Sequence, residues 1–196
     1  MNFKSLEEEL GYEFRNKKLI NQALTHTSYA NENKVESNEK LEFLGDAILE
    51  VTISKYLYKN YPNLREGEMT KVRASVVCEK SLYEIAKKHN FSEFLNLGKS
   101  EIANHGKERP AILADSVEAV IAAIYLDSSM ENAEKFILSN LKQSVEIASK
   151  HVGMKDYKTV LQEKLQTGGT VNIEYITIEE KGPDHDKSFT VELKVN

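Results

Sequence analysis

The stretch from Pro110 to Asp127 constrains this chain more than any other. Ile112, Leu113, Val117, Val120, Ile121, Ile124 and Leu126 point in every direction of a 3.6-residue turn and leave little polar face. A helix that is apolar all round has to be enclosed by other elements. Ala114, Ala119, Ala122 and Ala123 let those neighbours approach closely, and Pro110 suits a first helical position. The longest apolar run, Ala119–Leu126, is far short of the roughly 20 residues that span a bilayer, so this is the centre of a helical core.

The surrounding sequence supplies the enclosing helices. Ser5 and Glu8 have capping-box spacing, and Gly11 stops that short segment. Asn16 can cap the next, with Leu19, Ile20, Ala23 and Leu24 as its apolar stripe. A long helix is expected over Asn38–Asn60, ending before Pro62. Further helices are expected over Glu68–Val77, Lys80–His89 and Met130–Ser149. The segment around Gly98 and Gly106 reads as loop with one short helical turn. Beyond Gly153 the pattern changes. Asp156–Gln166 reads as a helix and residues 167–170 as a turn. Val171, Ile173, Tyr175 and Thr177 alternate with polar residues, as do Phe189, Val191, Leu193 and Val195, which is strand patterning across a connection through Gly182-Pro183-Asp184-His185. The expected fold class is mainly α: an all-helical domain over residues 1–150, a linker at 151–155, and an incomplete α-β-β piece at 156–196 that forms a poor core alone.

Two carboxylate pairs stand out against the apolar background. Glu42 and Asp46 lie on the long helix, and Asp115 and Glu118 lie on the central one. The spacings i,i+4 and i,i+3 put each pair on one face. With Glu39 at zero on a helical wheel, Glu42 falls at about −60°, Asp46 at about −20° and Glu50 at about +20°. One acidic stripe results, with Leu41, Leu44, Ile48, Val51 and Tyr56 supplying packing beside it. Gly45 interrupts this helix at a cost of about 1 kcal/mol relative to alanine, which is easier to explain if another backbone comes close there. Acids so flanked require compensation. If the four converge, either cations neutralise them or several take up protons. Oxygen-only ligands suit Mg²⁺ or Mn²⁺. The alternative is that these acids are surface residues paired with nearby Lys or Arg. A di-iron bundle expects Glu-x-x-His, and no Glu here has His three residues on. Gly-rich phosphate loops, EF-hand loops and Gly-x-Ser-x-Gly elbows are also missing from the sequence.

Charge and cysteine content narrow the setting. The net charge is −5, yet a local basic patch, not the total, decides phosphate binding. Residues 156–196 hold eight acids and five lysines, or −3, leaving −2 for the first 155 residues. Basic residues recur at Lys71, Arg73, Lys80, Lys87, Lys88, Lys99, Lys107 and Arg109; they constitute either an ordinary solvated surface or a phosphate-binding one. The single cysteine, Cys78, cannot form an internal disulfide. The N-terminus has no apolar signal-peptide core. A reduced, cytoplasmic protein without membrane attachment is expected.

The segment Asn38-Glu39-Lys40-Leu41-Glu42-Phe43-Leu44-Gly45-Asp46-Ala47 resembles the signature of the ribonuclease III family at every position. Agreement extends through Ala23-Leu24-Thr25-His26-Thr27-Ser28-Tyr29, Lys71-Val72-Arg73-Ala74-Ser75 and Ile112-Leu113-Ala114-Asp115-Ser116-Val117-Glu118-Ala119, covering about residues 4–150. Asp156-Tyr157-Lys158-Thr159-Val160-Leu161-Gln162-Glu163 and Gly182-Pro183-Asp184-His185 resemble the start of a double-stranded-RNA-binding domain. The resemblance implies a Mg²⁺-dependent endonuclease, with Mn²⁺ able to substitute. It would act as a homodimer on double-stranded RNA such as ribosomal precursors, leaving 5′-phosphate and 3′-hydroxyl ends with short 3′ overhangs. It implies Glu42, Asp115 and Glu118 as metal ligands and Asp46 with Glu118 as catalytic acids. Glu39 and Glu66 would line the cleft, and Phe43 would insert into the partner subunit. Gln162, Glu163 and His185 would contact RNA, although the same residues also read as an amphipathic helix and a turn. The third strand and final helix of that domain do not follow, so weak duplex affinity with a shallow salt dependence is expected. A duplex-RNA-binding protein that does not cleave is the alternative from another class; four retained acids disfavour it, since binding a polyanion gains nothing from a negative cleft.

Overall fold

The computed structural model describes residues 3–152, 161, 164–165, 172–182 and 188–195. Two compact units divide between Gly153 and Met154. Among the described residues the first contains ten α-helices: α1 (Lys4–Leu10), α2 (Lys17–Ala23), α3 (Thr27–Asn33), α4 (Glu39–Asn60), α5 (Glu66–Val76), α6 (Glu79–Lys88), α7 (Phe91–Phe94), α8 (Lys99–Ala103), α9 (Pro110–Asp127) and α10 (Met130–Val152), with a 3₁₀ turn at Gly106–Glu108.

Helix α9 is the central element. Eleven of its eighteen residues are buried, and α2, α4, α6 and α10 pack around it. Val117, Val120, Ile121 and Ile124 are completely enclosed, each contributing roughly 1.5–3 kcal/mol before the cost of ordering the chain. Toward its C-terminus the helix emerges from the core: Leu126 is exposed, and Asp127 becomes an anchor instead. The Asp127 carboxylate accepts hydrogen bonds from the Tyr12 hydroxyl (2.7 Å) and the backbone N–H groups of Arg15 (2.9 Å) and Asn16 (2.8 Å), fastening the α1–α2 connection to the end of α9. Among the described residues no helix is long and apolar enough to cross a membrane.

Local chemistry accounts for most boundaries. Asn16 caps α2 by accepting from Lys18 N–H, and Gly11 ends α1 in the left-handed region at φ 64°. Other elements differ from expectation. Ser5 is not the N-cap of α1; that position is Phe3, without a side-chain cap, because the buried stripe Phe3, Leu6 and Leu10 sets where the helix starts. Helix α5 begins at Glu66, where the Glu68 carboxylate accepts from Arg65 N–H at 2.8 Å. Helix α3 has no apolar periodicity and buries only Ala30; its ends are made by the His26 cap and by Lys34 in the left-handed region. The Gly98–Gly106 segment holds two short helical pieces, not one.

In the second unit, β1 (Ile173–Lys181) and β2 (Ser188–Val195) pair antiparallel with a register irregularity between Thr177 and Glu179. Ile173 faces Val195, Tyr175 faces Leu193 and Thr177 faces Val191, so the alternating apolar positions share one face. The strands expected from Val171 and from Phe189 are therefore present in outline. The Asp156–Gln166 helix is described only at 161, 164 and 165, which are helical. The 167–170 turn and the connection through Pro183, Asp184 and His185 lie outside the described residues, as do Gln162 and Glu163.

Candidate active site

The site is made where α4 crosses α9, and a glycine allows the crossing. A Cβ placed on Gly45 would lie 1.8 Å from the carbonyl oxygen of Glu118 and 2.5 Å from its carbonyl carbon. The two backbones therefore touch at Gly45, as its costly position in mid-helix suggested. Glu42 and Asp46 flank that contact on α4, while Asp115 and Glu118 flank it on α9. One carboxylate oxygen from each of Glu42, Asp115 and Glu118 lies within 4.8 Å of the others. Asp46 lies outside that trio and is exposed, but its charge is the largest electrostatic influence on Glu118.

The cluster has little to offset it. No hydrogen bond or ion pair from another described residue reaches any of the four carboxylates. At such separations, two carboxylates repel by about 3 kcal/mol at an effective dielectric near 20. Burial, followed by Asp46, Asp115 and Glu42, pushes the Glu118 carboxyl up to about 8. Burial raises Glu42 as well, reinforced by Asp115, Glu39 and Asp46. Burial also raises Asp115, with His26 pulling it down and Glu79 pushing it further up. Three convergent oxygens without a protein counter-charge have the donor chemistry of a hard divalent cation.

The rest of the acidic stripe is differently employed. Glu39 accepts from the Ser37 hydroxyl (2.8 Å) and the Thr27 hydroxyl (3.2 Å). Glu50 pairs with Arg73 at 2.8 Å, and Arg73 also donates to the Ser54 hydroxyl. Glu66, exposed on α5, accepts from Thr70 and lines a separate groove against α4 with Val51, Tyr58 and Arg73.

The family model described as Ribonuclease-III-like matches residues 16–145, and that described as Double-stranded RNA binding motif matches residues 157–196. Ribonuclease 3 of Clostridium tetani is 46% identical over 196 residues, covering 100% of this chain and 83% of the relative. The chain belongs to the ribonuclease III family. Its activity is accordingly that of an endoribonuclease acting on double-stranded RNA. The nuclease domain of ribonuclease III from Campylobacter jejuni superimposes with a TM-score of 0.69 at 40% identity, covering 73% of this chain and 98% of that one. A Dicer from Giardia shares the fold at a TM-score of 0.56 and 26% identity, over 72% of this chain and 19% of that one.

Within this ribonuclease III fold, α4 carries a second face that the sequence reading assigned only in part. Val51 does not pack beside the acids; it is half exposed, and with Phe43 (81% exposed), Ala47 and Tyr58 (77% exposed) it forms an outward apolar stripe. The spacing of 4, 4 and 7 residues holds these four within about 80° of arc. That periodicity was readable in the sequence, but apolar residues on a helix do not announce which of two stripes meets the core.

Proposed function

We propose that this chain is a Mg²⁺-dependent, homodimeric endonuclease that cuts both strands of duplex RNA, including ribosomal precursors, in the cytoplasm. The 5′-phosphate and 3′-hydroxyl products carry short 3′ overhangs. The observation that carries the reading is the convergence of Glu42, Asp115 and Glu118 within 4.8 Å without a cation from the protein. These three would hold the metal, for which Mn²⁺ can substitute. When bound, a divalent cation supplies neutralisation of phosphate charge and activation of a water nucleophile.

The protein's part is to pre-position acids on two helices held rigidly by their contact at Gly45. Glu118, whose carboxyl is pushed up to about 8 by burial and by its acidic neighbours, would be held in its charged form by a bound divalent cation. Asp46, exposed beside it, completes the catalytic pair as the carboxylate at the solvent-facing edge. Glu39, fixed by two hydroxyls, lines the cleft further out, and Glu66, in the separate groove between α4 and α5, would join the cleft lining only in the dimer. The apolar stripe Phe43, Ala47, Val51 and Tyr58 supports the homodimer, since an exposed aromatic next to a charged cluster gains by being covered. Residues 1–150 are the nuclease unit, joined through 151–155 to residues 156–196, whose match to the RNA-binding motif supports a role in gripping the duplex through Gln162, Glu163 and His185.

Incubation with perfect duplex RNA tests the proposal. Short duplex products with two-ended phosphates at 5′ termini are expected in Mg²⁺ and none in EDTA. Glu118→Gln should abolish cleavage while leaving the melting curve cooperative. Cleavage by Glu118→Gln at near wild-type rate in saturating Mg²⁺ rules out the assigned site.

A further inference from the structure

The second unit presents an open strand edge beside an apolar face. Among the described residues β2 pairs with β1 alone, so its other edge has no strand partner. On the apolar face Ile173, Tyr175 and Leu193 are half-buried, whereas Phe189, Val191 and Val195 are 54%, 45% and 44% exposed. A strand pair with such a face gains stability when further strands extend it. The two edges are unlike. β1 carries the register irregularity at Thr177/Glu179 and the charged run Glu179-Glu180-Lys181, features that turn other strands away. β2 pairs without interruption from Val191 to Val195 and contains no proline.

The charges on β2 indicate what fits that edge. Within the hairpin Lys194 faces Glu174, but Glu192 faces Ile176 and has no cation opposite it. Laid antiparallel against a second β2 with Leu193 opposite Leu193, the strand matches itself. Val191 then meets Val195, Glu192 meets Lys194, and Lys194 meets Glu192. Opposed residues of an antiparallel pair project to the same face, so apolar residues join apolar ones. The opposite charges lie directly across from each other, a favourable cross-strand arrangement. Other registers lose this. Centring on Glu192 opposes two glutamates, and centring on Lys194 opposes two lysines. Centring on Val191 sets Glu192 against Thr190 and Lys194 against Ser188, which leaves both charges unmatched.

We propose that β2 pairs antiparallel with β2 of a second copy of this chain, about a two-fold axis at Leu193, joining two hairpins into one four-stranded sheet. A two-fold contact of this kind is self-complementary and suits the homodimer proposed above, on which it rests. A contact this short holds two chains together only when they are already tethered, and the dimer supplies the tether by making the pairing intramolecular. Lys194 then lies between Glu174 of its own hairpin and the partner's Glu192, and the exposed apolar face becomes continuous across the axis.

Cysteines read the register. In the full chain carrying Cys78→Ser, which removes the native thiol, Leu193→Cys brings two sulfurs together across the axis. Opposed Cα atoms of an antiparallel pair lie about 4.5–5.5 Å apart, within the roughly 4.4–6.8 Å that a disulfide spans. Val191→Cys instead leaves its two thiols about 13 Å out of line. Both proteins are oxidised with glutathione disulfide and followed on non-reducing gels. Leu193→Cys should form the linked dimer on the order of 10-fold faster than Val191→Cys. Adding Glu192→Lys to Leu193→Cys opposes lysine to lysine and should slow linkage, and adding Lys194→Glu as well should restore it, which a misfolded hairpin would not do. Equal rates at 193 and 191, or a charge swap that restores nothing, overturns the proposal. Light scattering separates it from the reading beneath. A wild-type monomer at micromolar concentration means that the homodimer fails and this pairing with it, whereas a dimer without selective linkage at 193 loses the strand pairing alone.

Discussion

Replacing Gly45 by alanine is the most direct test of how this fold makes its site. The added Cβ would sit 1.8 Å from the Glu118 carbonyl oxygen. Ordinary contact begins at 3.4 Å, so the neighbour must yield by 3.4 − 1.8 = 1.6 Å. The obstacle is backbone in the middle of the central helix, so no side-chain rotation relieves it, and α4 and α9 must separate. Overpacking of this kind costs about 1–3 kcal/mol, and a backbone obstacle puts Gly45→Ala near 3. Alanine's better helix propensity returns about 1 kcal/mol. The net loss of about 2 kcal/mol lowers the melting temperature by roughly 4–8 °C for a unit of about 150 residues.

Activity should suffer more than stability. Glu42 and Asp46 move with one helix, Asp115 and Glu118 with the other, so a shift above 1 Å opens the cluster itself and reduces cleavage by about 100-fold. Differential scanning calorimetry and single-turnover cleavage of duplex RNA in Mg²⁺ measure the two quantities. Gly67→Ala is the control: it also lies in a helix, α5, but a Cβ there meets no heavy atom within 4 Å. That variant should melt at or slightly above wild type and cleave normally. A Gly45→Ala protein with wild-type melting and cleavage would refute the argument that this contact sets the site.

Three further outcomes follow from the structure. The Glu118 carboxyl is at about 8 in the folded chain against 4.5 ordinarily, so between those values the folded state holds a proton that the unfolded state has lost. Stability of the metal-free protein therefore falls as pH rises from 4.5 to about 8. Solvent access to the cluster keeps the slope below the full value of about 1.4 kcal/mol per pH unit; chemical denaturation in EDTA across this range should find the slope, and Glu118→Gln should flatten it. Phe43→Glu should convert a dimer to a monomer in light scattering with little change in helicity by circular dichroism; a wild-type monomer at micromolar concentration contradicts the dimer. Asp127→Ala removes the acceptor of three hydrogen bonds and should cost about 3 kcal/mol in urea unfolding while leaving Mn²⁺ affinity unchanged.

Much of the fold was legible because its strongest element depends on no distant partner. Pro110–Asp127 is helical with the expected bounds, since a proline start and continuous apolar character are properties of that stretch alone. The long helix ends where Pro62 requires, and Asn16 caps α2. Helix α3 was not legible. Its residues Thr27–Asn33 have no apolar period, and its start is made by a histidine ring whose position depends on Ser28, Asn96 and Gly98. Ser5 misled for the converse reason: a good local cap loses to the burial of Phe3, Leu6 and Leu10, which only tertiary packing decides.

The site illustrates the same division at finer scale. That the acids lie on one face of each helix follows from spacing, and that Gly45 needs a close neighbour follows from its cost. Neither argument identifies the neighbour. In the structure it is the backbone of Glu118 itself, so a residue assigned to chemistry is also the residue against which the helices are held. The coupling runs both ways: the close crossing that benefits packing forces like charges together, and those charges oppose the crossing wherever no cation is present. Metal binding and helix packing are therefore linked equilibria. A divalent ion that binds only the closed arrangement should tighten the α4–α9 contact, and amide hydrogen exchange along both helices should slow on adding Mn²⁺ in the wild type but not in Glu118→Gln. Equal protection with and without the ion would mean that packing alone holds the acids in place.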